Sequence, residues 1–246
     1  MNLLKRRFVT SKALKAESAE SYESFRIKAT QELKENARLG FADFHRKDIS
    51  EVEKTVWVHL EQRISNDNPK ILDIGSGSSS LSKLLAHKIN ERHGQYWLND
   101  SPEMLMHWQN DIPVNFLPGR FPDQVELPDI KFDFVLAYSV LQYALKEELF
   151  KEFVKSTLQI TKPGGGIFLG DVPNVDMKSI QGRLDDNSTK MNFDNGILIK
   201  HERQLAKISS RQNSTLFKIP QPSSFYMAST RVDYLILKHK PTENRN

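Results

Sequence analysis

KILDIGSGSSSLS, residues 70–82, passes from a short apolar run through two glycines into a cluster of serines. Lys70 to Asp73 suit a buried parallel strand, and the carboxylate of Asp73 followed by Gly75 and Gly77 marks a tight turn at its end. Ser78, Ser79 and Ser80 are good N-cap residues. Beyond them Leu81, Leu84, Leu85 and Ile89 fall on one face at helical spacing. Strand, glycine turn and helix start together form a cradle for a nucleotide-like cofactor. Glycine lets the backbone approach a ligand, and the free N–H groups of a helix start favour its polar or anionic parts.

The dinucleotide fingerprint G-x-G-x-x-G requires a glycine at position 80, where this chain has Ser80. What stands instead, Asp73-x-Gly75-x-Gly77, resembles the first motif of class I S-adenosylmethionine (SAM)-dependent methyltransferases. The resemblance implies that Asp73, Gly75, Ser76 and Gly77 border the methionine end of SAM. It strengthens at the next strand, Gln95 to Leu98, which leads into Asn99-Asp100-Ser101-Pro102-Glu103-Met104-Leu105. In the family an acidic residue precedes such a helix start and accepts hydrogen bonds from both ribose hydroxyls. By spacing that position is Asn99, with Asp100 one later, so the ribose contact falls to Asn99, to Asp100 or to both, beside Ser101. On the structural alternative Asp100 is the N-cap of a helix opened by Pro102.

Further along, the resemblance continues in family order. Val114 to Leu117 reads as the third strand, and the residues after it border the adenine in the family, which assigns Gly119, Arg120 and Phe121. This chain departs from the pattern there, with Arg120 and Phe121 where a carboxylate is expected. FDFVLAYSVLQY, residues 132–143, holds a continuous apolar run for a central strand covered on both faces. Asp133 sits at its start, the wrong end for ligands, and reads as structural. Tyr138, Ser139, Gln142 and Tyr143 lie at the ligand end, where many relatives place a histidine that this chain lacks. Residues 145–160 read as an amphipathic helix stopped by Thr161-Lys162-Pro163-Gly164-Gly165-Gly166, and Ile167 to Val172 as the fifth strand. Its end, Gly170-Asp171-Val172-Pro173-Asn174, resembles that of bacterial surface-polysaccharide and sugar-modifying methyltransferases.

Upstream of the cradle, Tyr22, Phe25, Ala29, Leu33 and Ala37 recur at threes and fours within a helix over residues 12–38, which Gly40 ends. Ser50 and Glu53 have capping-box spacing before Val52, Val56, Leu60 and Ile64. These two helices either cap the cofactor or shield a sheet face. Downstream, residues 174–203 are polar and read as a lid or a surface loop, and Asp185 with Asp186 as a solvated turn. Glu202 to Ser209 reads as helix, Thr215 to Ile219 and Asp233 to Lys238 as strands, and Lys240 to Asn246 as a disordered tail.

Composition bounds the alternatives. The chain has 246 residues, no cysteine, 35 basic and 31 acidic residues and a net charge of +4; its mean hydropathy is −0.53. The absence of cysteine excludes disulfides and thiolate sites and fits a cytoplasmic enzyme. No stretch is apolar enough to span a membrane, and the opening MNLLKRRFVTSK has no apolar run to make a secretory signal. The seven histidines are scattered, so no metal site is expected. The expected protein is a Rossmann-like α/β class I methyltransferase with a helical cap at 1–66 and a SAM-binding domain at 67–240. Its sheet has about seven mostly parallel strands, the last forming an antiparallel pair. The resemblance implies methyl transfer to a small molecule, a sugar or nucleotide-sugar hydroxyl or amine. If a proton must be taken from the acceptor, Asp171 and Tyr143 are the candidates. A non-catalytic SAM-binding protein and a nucleic-acid methyltransferase are the rival functions. The second is disfavoured by the lack of an Asn/Asp-Pro-Pro-Tyr/Phe motif, and a nicotinamide enzyme by Ser80.

Overall fold

A computed structural model of the chain describes residues 22–31, 49–64, 67–108, 112–144, 147–173, 197–225, 228 and 231–241. Within them β1 (Lys70–Ile74), β2 (Gln95–Asp100), β3 (Asn115–Pro118), β4 (Phe132–Tyr138) and β5 (Thr161–Pro173) run parallel. Two further strands, β6 (Ser214–Pro220) and β7 (Arg231–Lys238), close a seven-stranded sheet ordered β3-β2-β1-β4-β5-β7-β6. β7 is antiparallel to both of its neighbours, as expected for the closing strands.

Helices cover both faces: α1 at 22–29, α2 (Ile49–Glu61), α3 (Ser80–Asn90), the single turn α4 (Pro102–Leu105), α5 (Glu147–Ile160) and α6 (Ile197–Arg211). The continuous apolar runs of the strands are divided between the two faces by their period of two. Leu72, Val135, Ala137, Ile167 and Leu169 point to the layer under α5 and α6, with Phe150, Phe153, Val154 and Leu158. Ile71, Phe134, Leu136 and Phe168 point the other way, to Val56, Leu60, Leu85 and Ile89 of α2 and α3. A one-residue slip of any strand would exchange these sets.

The pairing Ser50/Glu53 is not a capping box. Ser50 lies inside the first turn of a helix that begins at Ile49, and Glu53 is buried and ion-pairs with Lys88 of α3 at 2.9 Å. The glycine run after α5 is the entry of β5 rather than a separate stop: Thr161 pairs with Phe132, an irregularity follows, and Gly166 pairs with Phe134. A Cβ on Gly165 would stand 2.6 Å from the Asp133 carbonyl oxygen, which explains a residue without a side chain at that approach. Asp133 is structural as expected, accepting the Lys70 N–H at 2.8 Å and Lys162 Nζ at 2.8 Å at the strand N-terminal edge. α6 and β7 extend beyond the stretches expected for them, β6 by one residue at each end. The loop or lid reading of 174–203 and its Asp185–Asp186 turn fall outside the described residues up to 196, as do most of the first expected helix and the end of the tail. No helix among the described residues is long and apolar enough to cross a membrane.

Candidate functional site

The C-terminal ends of β1, β2 and β4 meet at one cleft. Gly75 takes φ +64°, and a Cβ there would lie 2.5 Å from Val140 Cγ2. Its N–H and that of Ser76 both donate to the Asn99 carbonyl oxygen, at 2.8 and 3.2 Å, and the Gly77 N–H donates to Asp100 Oδ2 at 2.8 Å. The turn after β1 is thereby tied to the end of β2. Ser79 is the serine of the cluster that caps α3, its Oγ accepting the Ser82 N–H at 3.1 Å.

Behind the turn, Asp73 is buried, and its Oδ2 accepts from Ser82 Oγ at 2.7 Å and Tyr96 OH at 2.9 Å. Burial pushes its carboxyl up to about 7 against the effect of those two donors. Because this value lies above the ordinary carboxylate range, the folded chain holds the proton more tightly than the unfolded one. The stability that goes with the neutral form is complete below that range and is lost as pH rises through about 7. The thermal midpoint of the ligand-free chain should therefore fall between about pH 5 and about pH 8, and fall less steeply in Asp73→Asn, whose amide oxygen still accepts a hydrogen bond. Parallel slopes in differential scanning fluorimetry would show that Asp73 is not the group responsible.

At the end of β2 the two candidate residues do different things. Asn99 Nδ2 donates to the carbonyl oxygens of Leu117 and Gly119, both at 2.8 Å, and fixes the end of β3. Asp100 accepts the Ser101 N–H on Oδ1 at 2.7 Å and the Gly77 N–H on Oδ2, and keeps lone pairs on the cleft it lines. It is not the N-cap of the following turn. Ser101 is, its Oγ accepting the Met104 N–H at 3.2 Å. Burial pushes the Asp100 carboxyl up to about 6, offset in part by the Ser101 and Gly77 N–H groups.

Gly119, Arg120 and Phe121 also line the cleft. The Arg120 guanidinium is committed locally, Nε to Asp123 Oδ1 at 2.9 Å and Nη2 to Oδ2 at 2.6 Å. Phe121 packs edge-on against Phe153 at 5.2 Å and presents its remaining surface to the cleft.

The helix α1 supplies two cleft residues that the sequence reading gave to a packing stripe, Tyr22 and Phe25. Arg26 Nε donates to Glu103 Oε2 at 3.0 Å, a second guanidinium nitrogen reaches Oε1, and His107 Nε2 meets the Ala29 carbonyl oxygen. The Arg26 bonds hold the Glu103 carboxyl down at about 2. The Phe25 ring sits edge-on to Tyr143 at 5.2 Å. Of the two upstream helices, α1 therefore covers the cleft, whereas α2 shields the sheet.

Tyr138, Ser139 and Tyr143 line the cleft from β4 and the 3-10 turn Leu141–Ala144. Burial raises the Tyr143 hydroxyl above its ordinary value. Asp171 is not in the cleft wall. Its Oδ2 accepts from the Ser139 hydroxyl, and Arg231 Nε lies 3.9 Å from its Oδ1. Ser139, which the sequence placed at the ligand end without giving it a role, is the member of this pair that faces the cleft.

Three comparisons bear on this arrangement. The profile of the methyltransferase domain family matches residues 71–165, from β1 to the glycine run of β5. No curated protein matches the chain. Among solved structures, an S-adenosylmethionine-dependent methyltransferase from Clostridium acetobutylicum ATCC 824 superposes with a TM-score of 0.59 at 14% identity, covering 79% of this chain and 94% of that one. The plantazolicin methyltransferase BpumL, in complex with a triazolic desmethylPZN analogue and SAH, gives 0.60 at 14% identity over 90% of this chain and 99% of its own. The methyltransferase domain of bacterial CtHen1-C gives 0.57 at 14% identity over 78% and 100%. At these identities what is shared is the fold.

Proposed function

We propose that this chain, a class I SAM-dependent methyltransferase, transfers the methyl group to an oxygen or nitrogen of a small-molecule acceptor that has a flat apolar body. The observation that carries this reading is the two-ended cleft. One end is polar backbone and carboxylate, around Gly75, Ser76 and Asp100; the other is the edge-on pair Phe25 and Tyr143 with Ala144.

The polar end suits SAM on its own geometry. Gly75 and Gly119 line the cleft with φ of +64° and +127°, backbone that side chains rarely adopt, so each offers a ligand bare main chain. Asp73, Gly75, Ser76 and Gly77 would hold the methionine part. Asp100 would take the ribose hydroxyls, with Asn99 and Ser101 fixing the backbone around it. Gly119, Arg120 and Phe121 would border the adenine, and Tyr138 the approach to the reacting centre. When bound, SAM supplies a methyl on a sulfonium that is already activated, so the chain's task is to align an acceptor lone pair and to exclude water.

The resemblance to sugar-modifying enzymes is the narrower alternative for the acceptor. The apolar end of the cleft supports instead an acceptor that presents a ring face to Phe25 and Tyr143. That the plantazolicin methyltransferase was solved with a triazolic analogue supports the capacity of the fold for such a body. Asp171 and Tyr143 remain the proposed proton-handling groups. With its hydroxyl raised by burial, Tyr143 stays protonated near neutral pH and serves as a hydrogen-bonding wall, which leaves the proton to the Asp171 side.

Incubating the chain with methyl-labelled SAM and a fractionated cell extract tests the reading. Label should move into the low-molecular-weight fraction. Label confined to RNA or to protein would contradict it.

A further inference from the structure

Ser139 and Asp171 stand at the ends of adjacent parallel strands, joined by the Ser139 N–H to the Gly170 carbonyl oxygen at 3.0 Å. Neither is glycine, yet both take left-handed backbone, φ +58° and +56°. Such conformations persist where the surroundings over-determine them, and they gather at functional sites. Here they turn the two side chains toward each other, so that the Ser139 hydroxyl donates to Asp171 Oδ2.

Asp171 is held from three further directions. Its N–H donates to Asp233 Oδ1 at 2.7 Å, its carbonyl oxygen accepts Arg231 Nη1 at 3.1 Å, and Arg231 Nε lies 3.9 Å from Oδ1. Asp233 is itself fixed by Gln221 Nε2 at 2.9 Å. The charged or titratable groups facing Asp171 are thus Arg231, Asp233 and, by its electrostatic influence, the Tyr143 hydroxyl. A serine hydroxyl has one proton and two lone pairs. With the proton committed to Asp171, what Ser139 offers the cleft is an acceptor.

We propose that Ser139 receives the proton of the methyl acceptor, with Asp171 as a positioning residue that takes the proton of Ser139, so that the acceptor is a protic nucleophile, an amine or a hydroxyl. The inference rests on the methyl-transfer reading and deepens it. In the step, the acceptor lone pair forms the new bond to the methyl carbon as the methyl–sulfur bond breaks, its electron pair remaining on sulfur. The acceptor proton passes to Ser139 Oγ while that of Ser139 passes to Asp171, which later releases it to water. Ser139 is then the catalytic residue, because it touches the acceptor.

Two probes that share a ring and an oxygen separate this from a structural role: phenol, which donates a hydrogen bond, and its methyl ether anisole, which only accepts one. Ligand-observed NMR on the full chain saturated with S-adenosylhomocysteine (SAH) should show phenol bound about tenfold more tightly, the worth of one hydrogen bond. In Ser139→Gly, a residue at ease at this φ, the preference should vanish while SAH affinity stays within about twofold. Asp171→Ala frees the serine proton toward the cleft and should narrow the preference, because anisole then gains a donor. A wild-type protein that binds SAH but does not distinguish the probes would overturn the inference and leave the methyltransferase reading standing. A Ser139→Gly protein that loses SAH affinity tenfold would overturn it too, by assigning Ser139 to the cofactor. Failure of the wild type to bind SAH at all would sink the reading underneath.

Discussion

Asp100→Ala should lower the affinity of the chain for SAH by about 100-fold or more while leaving it folded. A carboxylate that accepts from two hydroxyls makes charge-assisted bonds of about 1.5–3 kcal/mol each. Asp100 is suited to that task because its existing partners, the Ser101 and Gly77 N–H groups, occupy one lone pair on each oxygen and leave the others to the cleft. The same substitution leaves the Gly77 N–H without its acceptor, loosening the turn that approaches the ligand. Asp100→Asn should fall between, since its amide oxygen still accepts while its nitrogen only donates. The pH dependence carries a sign of its own. With the carboxyl at about 6 in the ligand-free chain, and the ionised form the better acceptor, wild-type affinity should decline as pH falls through about 6. The alanine variant should be flat over the same interval. Unchanged SAH affinity in Asp100→Ala by isothermal titration would remove Asp100 from the site and return the ribose contact to Asn99.

The second large effect is expected at Gly119. Its φ of +127° is a conformation that side chains rarely adopt, and a Cβ there would lie 2.0 Å from the Gln124 carbonyl oxygen and 3.2 Å from Val125 Cα. These are backbone atoms, so no side-chain rotation relieves the contact. Nor can the loop drift, because the Gly119 N–H donates to the Asp100 carbonyl oxygen at 2.9 Å and the Gly119 carbonyl accepts from Asn99. Gly119→Ala should cost about 2–4 kcal/mol, which in a chain of this size lowers the thermal midpoint by about 5–15 °C. Gly75→Ala is the milder comparison: its φ of +64° is the left-handed region some residues tolerate, and its clash is with a methyl of Val140, a side chain that can turn. A Gly119→Ala chain that melts within about 2 °C of wild type would mean that the loop takes another path.

The central strands were legible because Phe134 to Ala137 and Ile167 to Leu169 are unbroken apolar runs, and burial on two faces is what such a run records. The order of motifs carried the topology, including the reversed β7 between β5 and β6. The cleft was legible where chemistry is written in residue type, at Gly75 and Gly119, and in part at the end of β2, where spacing left Asn99 and Asp100 as alternatives. It was not legible where backbone conformation decides. Nothing in the letters Ser139 and Asp171 announces two left-handed residues, and that conformation turns Asp171 aside and puts a serine in the wall in its place. The stripe Tyr22, Phe25, Ala29 reads equally well as core or as cover, because apolar spacing says that a face is buried and not against what. The contact from Arg26 to Glu103 spans 77 positions, and a long-range ion pair leaves no local pattern. At Ser50 and Glu53 a genuine local pattern misled, since the helix begins one residue earlier and Glu53 is drawn off by Lys88.

Isothermal titration of the full chain with SAM, with SAH and with NADH tests the central claim most directly. One site is expected for each of the first two, with a dissociation constant in the micromolar range, about −8 kcal/mol, and no binding of the dinucleotide. Heat with NADH and none with either sulfur nucleoside would contradict it.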